Sequence, residues 1–369
     1  LWGHLLLRAK PMKRLVLVSA LLCVASTLGC APQESTALEA SLQGDEGSAR
    51  AAHDSSETAR LRPASAADGL DAAEERALRD ADEGGRDVGA NWSYTSCTED
   101  EALGGFQVLL AEDYTGVSGQ VRSGVVPSNV PELISSQQGC RLLKARSLYC
   151  DPQCVPGETC AESGVCIDYP GRVSLGEVKV SGMKEALTME AKWGNTYTNQ
   201  STLPHPGYLA GADLLLVAQG EELEGFSLRG FGVAPLEMTQ ESVTLSGGQG
   251  LALTWATSGA ETHTRLRITL NVNNHGSTSA WLACEVEDSG AFTIPAALLD
   301  ALQAIGVSGF PSLSLARQSV DAVRLAPGCV EFAVRSERDL SITIDGLKSC
   351  TRDAQCPSGQ SCGSDLACH

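Results

Sequence analysis

The stretch Arg265-Leu-Arg-Ile-Thr-Leu-Asn-Val272 alternates polar and apolar side chains along its whole length. Its apolar members, all at even positions, are Leu266, Ile268, Leu270 and Val272. This period of two is typical of a β-strand with one buried face, so the polar residues Arg265 and Arg267 are expected on the opposite face. The following Asn273-Asn274-His275-Gly276 is typical of a tight turn. We therefore predict a hairpin in which residues 279–286 form the second strand.

The same alternation recurs on both sides of this hairpin. The apolar sets are Leu187-Met189-Ala191, Leu251-Leu253-Trp255, Val330-Phe332-Val334 and Leu340-Ile342-Ile344. Leu214 to Ala218 is a continuous apolar run, which predicts a strand buried on both faces. One helix is expected over residues 296–304, between Pro295 and Gly306. Short strands joined by glycine-rich turns favour an antiparallel β-sandwich over residues 170–347, in a chain that is mainly β.

Two groups of four cysteines flank this predicted sandwich. The first cassette, residues 150–169, and the second cassette, residues 350–369, contain Cys150, Cys154, Cys160, Cys166 and Cys350, Cys356, Cys362, Cys368. Structural zinc sites favour cysteine pairs that lie close together in sequence, and only Cys150 and Cys154 have that spacing. The cassettes are therefore predicted to hold disulfides, which form in oxidising compartments, and no metal site is assigned.

Four cysteines allow three pairings, and we expect the crossed one because it ties the two halves of each cassette together. The predicted bridges are Cys150–Cys160, Cys154–Cys166, Cys350–Cys362 and Cys356–Cys368. Outside the cassettes we expect Cys284–Cys329 and Cys97–Cys140. A bridge between Cys140 and Cys150 stays open as an alternative that would change the first cassette.

The N-terminal stretch 12–30 has the parts of a secretory signal. Basic residues at 13 and 14 precede the apolar run 15–24, which is too short to span a bilayer. Residues 1–29 are thus predicted to be removed, residues 1–11 being an upstream extension. The segment Thr27-Leu-Gly-Cys30 resembles a bacterial lipobox, which implies lipidation of Cys30 and a membrane anchor at that residue. An ordinary signal peptide with an unrelated cysteine is the alternative.

Residues 31–90 contain no aromatic residue and many acidic ones, so residues 30–90 are predicted to be a lipidated cysteine with a disordered acidic tether. Residues 91–149 are expected to form a small β region. The full chain carries a formal net charge of −18. Such a balance argues against nucleic-acid binding, which requires Lys and Arg for the phosphates.

The cassettes resemble the C-x(n)-D-x-x-C-x-x-G-x-x-C-x(n)-C units of secreted myxobacterial proteins. The order of lipobox, acidic segment, cassette, β-domain and cassette is similar to that of uncharacterised myxobacterial lipoproteins. This resemblance implies a cell-envelope lipoprotein. Ala31 follows Cys30 in place of the aspartate that retains enteric lipoproteins in the inner membrane, which implies an outer-membrane location, periplasmic or surface-facing.

The sequence contains no established catalytic or cofactor motif. A P-loop and the zinc-protease H-E-x-x-H are missing, and Gly306-Val-Ser-Gly309 falls short of the G-x-S-x-G elbow. No catalytic residue, cofactor or metal ligand is therefore predicted. Glu285 to Gly290 could hold calcium through its carboxylates, but we favour a solvated acidic strand end there.

The long connection 192–208 carries the candidate ligand-binding residues. These are Trp193, Asn195, Tyr197, His205 and Tyr208. Aromatic rings beside amides suit a glycan, cell-wall or protein ligand. The competing interpretation, which we favour, is that Trp193 caps the core. The sequence as a whole predicts a binding or envelope-structural module; the alternative is an extracytoplasmic hydrolase with a site assembled from sandwich loops.

Overall fold

The structure is a computed structural model that describes residues 93–259, 263–276 and 279–369. The predicted signal peptide, Cys30 and the tether lie outside the described residues.

The described residues form mainly strands. The first ten are β1 (Ala102–Leu110), β2 (Thr115–Arg122), β3 (Glu132–Gln137), β4 (Cys140–Lys144), β5 (Glu158–Cys160), β6 (Cys166–Asp168), β7 (Arg172–Val173), β8 (Val178–Ser181), β9 (Leu187–Met189) and β10 (Tyr197–Thr198). The later ones are β11 (Asp213–Ala218), β12 (Phe226–Phe231), β13 (Ser242–Leu245), β14 (Leu251–Thr254), β15 (Arg265–Asn271), β16 (Ala280–Glu287), β17 (Ala291–Ile294), β18 (Ser312–Leu325) and β19 (Gly328–Ile344). The α-helix α1 is Ala296–Ile305, and short 3-10 turns occur at Pro127–Asn129 and Asp353–Gln355.

A large mixed sheet forms the centre of the fold. Its strand order is β10-β2-β1-β19-β18-β15-β16-β4-β3, with β7 pairing with β2 and β13 pairing with β19. A second sheet has the order β12-β11-β8-β9, and β14 pairs with β17. The mainly β prediction is confirmed.

Two hydrophobic cores lie against this one large sheet. The first is built from the sheet's β1–β2 end and the second sheet, and it includes Phe106, Leu216 and Phe332. The second core lies under β15 and β16, where Ile268 and Leu302 of α1 are buried together. The long strand β19 contributes to both, since Val330 and Phe332 belong to the first core while Leu340 and Ile344 belong to the second. Burial of these side chains supplies the main stabilisation.

The hairpin and helix predicted from the sequence are present. Strands β15 and β16 pair antiparallel, with Leu266 opposite Val286 and Ile268 opposite Cys284. The predicted apolar face of β15 is fully buried. Pro295 occupies the N-cap of α1 and Gly306 its C-cap.

Strand β4 forms a hairpin with the preceding β3. Two other features of the strands differ from the predictions. The run 214–218 is not buried on both faces, because Leu215 and Val217 remain half-exposed. The pairing is also not purely antiparallel, since β1 and β13 each run parallel to β19. Alternation fixes which face of a strand is buried, but it does not identify the neighbouring strand.

Residues 93–149 join the large sheet and do not form a region apart from it. Strand β1 pairs along its length with β19, and β4 pairs with β16. The first part of the described chain is therefore built into the same sheet as its last long strand.

The crossed pairing expected for both cassettes is the one that the structure has. The bridges are Cys150–Cys160, Cys154–Cys166, Cys350–Cys362 and Cys356–Cys368. The second cassette packs on the body through main-chain bonds, among them Gly309 N to Asp365 O at 2.8 Å.

The two bridges predicted outside the cassettes are wrong. Cys97 pairs with Cys329, and Cys140 pairs with Cys284, so neither Cys97–Cys140 nor Cys284–Cys329 forms. The reason is strand order: β4 lies beside β16 and places Cys140 directly opposite Cys284, with 3.9 Å between their Cα atoms. The alternative Cys140–Cys150 bridge is excluded for the same reason.

No helix in the described part of the chain is long and apolar enough to cross a membrane.

Candidate functional site

The face of the large sheet that points away from both cores carries polar side chains. In β1, Phe106 and Val108 are buried, so Gln107 between them faces outward. Its neighbour across the strand pair is Ser118 of β2, and Gln107 Nε2 donates to Ser118 Oγ at 3.1 Å. The register places Ala333 of β19 on the other side of Gln107.

A groove of about 530 Å³ runs across this outward face. We call it the polar groove. Its small lining residues include Gly105, Ser118, Ala283 and Ala333. Its longer polar lining residues include Gln107, Gln120, Arg267, Gln318, Glu331 and Arg335. The groove exists because the small residues leave space on the sheet surface, and the strands position the longer side chains around that space.

The segment 93–101 holds one side of the polar groove. The Tyr94 hydroxyl donates to Glu285 Oε2 at 2.9 Å and accepts from Gln318 Nε2 at 2.7 Å. Burial raises the pKa of Tyr94, and the Glu285 carboxylate raises it further. The Cys97–Cys329 bridge fixes the same segment to the start of β19. Tyr94 is therefore a neutral hydrogen-bonding group in this position.

A bidentate ion pair closes the end of the polar groove near β4. Arg141 Nη1 donates to Glu99 Oε2 at 2.7 Å, and Arg141 Nη2 lies 2.6 Å from Glu99 Oε1. Both side chains are partly exposed. The charges of Arg141 and Glu99 therefore neutralise each other.

Glu331 stands near the middle of the polar groove. Burial raises the pKa of its carboxyl, against the opposing effects of the Cys97 N–H and the Arg267 guanidinium. The nearby carboxylates of Glu285 and Glu99 raise it further. Glu331 Oε1 accepts a hydrogen bond from Cys97 N at 2.5 Å. This carboxyl is held more readily in its protonated form than an exposed glutamate.

Two guanidinium groups in the polar groove keep unused donors. Within the described part of the chain, the buried Nε of Arg335 has no acceptor, and Arg335 Nη2 lies 3.5 Å from Glu337 Oε2. Burial lowers the pKa of Arg335. Arg267 is exposed, and no described side chain accepts a hydrogen bond from it. An arginine has five N–H donors in a fixed geometry, so this pair can bind further acceptors.

The structure places two predicted ligand-binding residues in the first core. Tyr197 is fully buried, and its hydroxyl accepts from Leu175 N at 2.8 Å and donates to Gly176 O at 3.1 Å. Tyr208 is 2 % exposed, and burial raises the pKa of its hydroxyl. Tyr208 is therefore a packing residue. Strand β10 places the residues on either side of Tyr197 at the end of the polar groove.

Two other predicted ligand-binding residues hold the loop itself. Asn195 has φ +52°, and its Nδ2 donates to Arg172 O at 2.9 Å. His205 Nε2 lies 3.1 Å from Glu112 O, and its Nδ1 lies 3.4 Å from Thr115 Oγ1. These contacts anchor the connection 192–208 to the β1–β2 turn and to β7.

Trp193 is 99 % exposed, so the interpretation that it caps the core is wrong. It lies at the tip of a tight turn in which Asn195 N donates to Lys192 O at 2.9 Å and Lys192 N donates to Thr196 O at 2.8 Å. Thr196 itself lines the polar groove. The five predicted residues do not form one site, but Trp193 stands next to a site built from other residues.

Asp288 is not a solvated acidic strand end, because it forms a buried ion pair. Its Oδ2 lies 2.6 Å from Arg317 Nε, and neither side chain is more than 1 % exposed. Trp255 Nε1 donates to Asp288 Oδ1 at 2.7 Å and Thr264 Oγ1 to Oδ2 at 2.9 Å. Burial alone would raise the pKa of Asp288, but these donors hold it below its ordinary value. The carboxylate is fully occupied and does not offer a calcium ligand.

The sequence indicated the polar groove only indirectly. Arg267 belongs to the polar face of the stretch 265–272, which was interpreted as facing solvent. Two residues that line the groove with Arg267, Glu331 and Arg335, come from β19, and a third, Gln107, comes from β1. No local motif joins them, because the strand order brings them together.

Comparisons with known proteins identify no family. No protein-family model matches the chain, and no curated protein matches it. One similar solved structure is a Ca²⁺-stabilized adhesin that helps an Antarctic bacterium reach out and bind ice; it is 11% identical over 68% of this chain and 51% of that one, with a TM-score of 0.17. Another is a tetra-tandem repeat in the extending region of a large adhesion protein, 11% identical over 67% of this chain and 76% of that one, with a TM-score of 0.14.

This chain spans about half the length of the first of these structures. At these TM-scores neither similarity bears on the fold or the function.

Proposed function

We propose that this protein is an extracytoplasmic binding module whose ligand occupies the polar groove. The observation that supports this most is the presence of Arg267 and Arg335 in one groove with donors that no described side chain uses. Buried polar groups are normally hydrogen-bonded, so an unsatisfied donor beside an open cavity favours an external acceptor. Preformed concave sites with a few convergent polar groups are typical of ligand binding.

The disulfides support a location outside the cytosol. Six bridges occur within the described residues, and such bonds form and persist outside the reducing cytosol. We further propose that the chain is a lipoprotein of the outer membrane, anchored through Cys30, as the lipobox resemblance implies. Replacement of Cys30 by Ser should then abolish metabolic acyl labelling and release the protein from membranes; labelling that survives Cys30→Ser would disprove the anchor.

A second function, hydrolysis, is favoured by one observation. Glu331 has a raised pKa and lies near the carboxylates of Glu285 and Glu99. Glycoside hydrolysis uses two carboxyl groups, of which the one that acts as the acid has a raised pKa. These groups lie on strands and on the segment 93–101, so such a site would not be built from sandwich loops. Binding remains the first candidate because Glu285 and Glu99 already have strong partners.

A glycan and cell-wall array probed with the purified full chain tests the proposal. The informative variant is Ala333→Phe, which places a ring in the polar groove from its floor. The matched control is Ala252→Phe, at an exposed position on β14 far from the groove. We expect the wild-type chain and the Ala252→Phe control to bind the same array members, and Ala333→Phe to lose them.

Retention of binding by Ala333→Phe would place the ligand elsewhere and refute the proposed site. A panel of hydrolase substrates on the same preparations separates the second function. Turnover that disappears in Glu331→Gln while binding persists would make the protein an enzyme.

A further inference from the structure

We infer that the ligand of the polar groove is an acidic saccharide chain, bound by its carboxylate at Arg267 and Arg335 and by a neighbouring sugar ring on Trp193. This inference rests on the proposed function of the groove and adds the chemical class of the ligand.

The charged groups of the groove differ in balance from those of the whole chain. The chain has a formal net charge of −18, whereas the groove is lined by three arginines and three glutamates. Glu99 is taken by Arg141, and Glu285 accepts from Tyr94. Arg335 reaches one carboxylate, that of Glu337, at 3.5 Å, and Arg267 lies near Glu331 and the already paired Glu99. Burial favours the neutral form of Glu331. A site with surplus guanidinium donors selects a carboxylate, which can accept two parallel hydrogen bonds from an arginine.

The polar groups that surround the arginines are of a kind that suits a saccharide. Gln107, Gln120 and Gln318 line the groove together with Ser118. Amides and hydroxyls both donate and accept, which matches sugar hydroxyls. Much of the groove floor is glycine and alanine, which present little side-chain surface to an apolar peptide group. The groove also crosses a sheet face, whereas an extended peptide adds to a sheet edge.

Trp193 adds an aromatic surface beside the groove. A single exposed apolar side chain is ordinary, but this ring is exposed to 99 % on a turn fixed by two main-chain hydrogen bonds. The turn is joined to the groove on two sides. Thr196 lines the groove directly. The main-chain oxygen of Arg172 accepts a hydrogen bond from Asn195 of the turn, and Arg172 Nε donates to Oε1 of the groove residue Gln120 at 2.5 Å. The indole therefore offers a preformed apolar surface on which a sugar ring that leaves the groove can stack.

The test uses two probes that differ only in charge: an oligogalacturonate and its methyl ester. Equilibrium binding of each to the purified full chain is measured by calorimetry. Arg267 is exposed, so Arg267→Gln removes the charge with little risk to the fold. Its matched control is Arg324→Gln, on the neighbouring strand β18 and exposed outside the groove. Trp193→Ala is matched by Tyr149→Ala, which removes a ring that is 79 % exposed near the first cassette.

We expect the acid to bind at least about tenfold more tightly than the ester, because a hydrogen bond to a charged group is lost with the charge. Arg267→Gln should remove that difference, and Trp193→Ala should weaken both probes. The two controls should bind as the wild type does.

Equal affinity for acid and ester, or an unchanged preference in Arg267→Gln, would overturn the acidic-saccharide inference. So would an array on which peptides bind and saccharides do not. If Ala333→Phe still abolishes binding in those cases, the groove keeps its proposed function. If Ala333→Phe has no effect on the ligands found, the proposed function fails as well.

Discussion

At the scale of single residues, the Asp288–Arg317 pair is the most consequential buried contact outside the polar groove. Arg317 also donates through Nη1 to Pro235 O at 2.9 Å and through Nη2 to Ala256 O. The pair thus joins three loops around β18. Every donor that reaches Asp288 is itself constrained by the fold, so removing one partner leaves a buried charge without compensation.

We expect Asp288→Asn to lower the free energy of unfolding by about 3–5 kcal/mol, because it leaves the Arg317 guanidinium buried and unpaired. Urea denaturation under oxidising conditions measures this. Asp339→Asn, at an exposed position, is the control and should change stability by less than about 0.5 kcal/mol. Equal stability of the two variants would show that the pair is not buried as described.

The same pair makes a pH prediction. The pKa of Asp288 is lowered in the folded protein, so its contribution to stability is present above the unfolded pKa of about 3.9 and is lost as the pH falls through the folded value. The stability difference between wild type and Asp288→Asn should therefore be constant from about pH 7 to pH 5 and shrink below about pH 4. Denaturation series across this range measure it; a difference that grows on acidification would contradict the lowered pKa.

Two residues, Trp193 and Asp288, have environments that their neighbours in sequence did not predict. Trp193 and Asp288 were interpreted from their neighbours in sequence, as a core cap and as a solvated acid. The state of Asp288 depends on a distant group, since Arg317 lies 29 residues beyond it. Trp193 is exposed because the chain makes a tight turn between Lys192 and Thr196. Alternation along a strand carries no information of this kind.

At the scale of elements, the parallel pairing of β1 with β19 depends on Gly105. A β-carbon added there would overlap the main-chain oxygen of Glu331 in the adjacent strand.

Gly105→Ala is thus expected to destabilise the protein by about 1–3 kcal/mol through overpacking. Gly247→Ala is the matched control, since no atom lies within 4 Å of a β-carbon added there. Thermal unfolding of both variants tests this. A Gly105→Ala protein that unfolds at the same temperature as the control would refute the β1–β19 contact.

Elements defined by a local sequence pattern were predictable, whereas strand pairs that are distant in sequence were not. The β15–β16 hairpin and α1 follow from alternation, turn residues and caps, all within one stretch of chain. The β1–β19 pairing joins residues more than 200 positions apart, for example Phe106 and Phe332. A period of two is the same in parallel and antiparallel strands, so the sequence could not distinguish them.

At the scale of the whole molecule, two disulfides join early parts of the described chain to the later strands β16 and β19. Cys97–Cys329 spans 232 residues and Cys140–Cys284 spans 144, whereas the cassette bridges span 10 or 12. Long loops lose more entropy when a bridge closes them in the unfolded chain. The two kinds of bridge should therefore contribute differently to global stability.

Replacement of both Cys97 and Cys329 by Ala should lower the free energy of unfolding by about 2–5 kcal/mol. The same replacement of Cys154 and Cys166 should disorder the first cassette and leave the main unfolding transition of the sheet nearly unchanged. Calorimetric melting of the two double variants compares them. Equal losses would indicate that the first cassette is part of the cooperative sheet structure.

The cassette bridges were predictable at this scale because cysteine spacing repeats within the chain. The polar groove was not predictable, since its lining comes from strands spread between Gly105 and Arg335. The site exists only once the strand order of the large sheet is known.

The most direct test of the account is hydroxyl-radical footprinting of the full chain, with and without the tightest ligand from the array. The ligand is expected to reduce modification at Tyr94 in the polar groove and at Trp193 beside it. Modification of Tyr149 and Tyr169 near the first cassette should not change. Unchanged modification at Tyr94 and Trp193, with protection at Tyr149 or Tyr169, would contradict the central claim that this groove is the binding site.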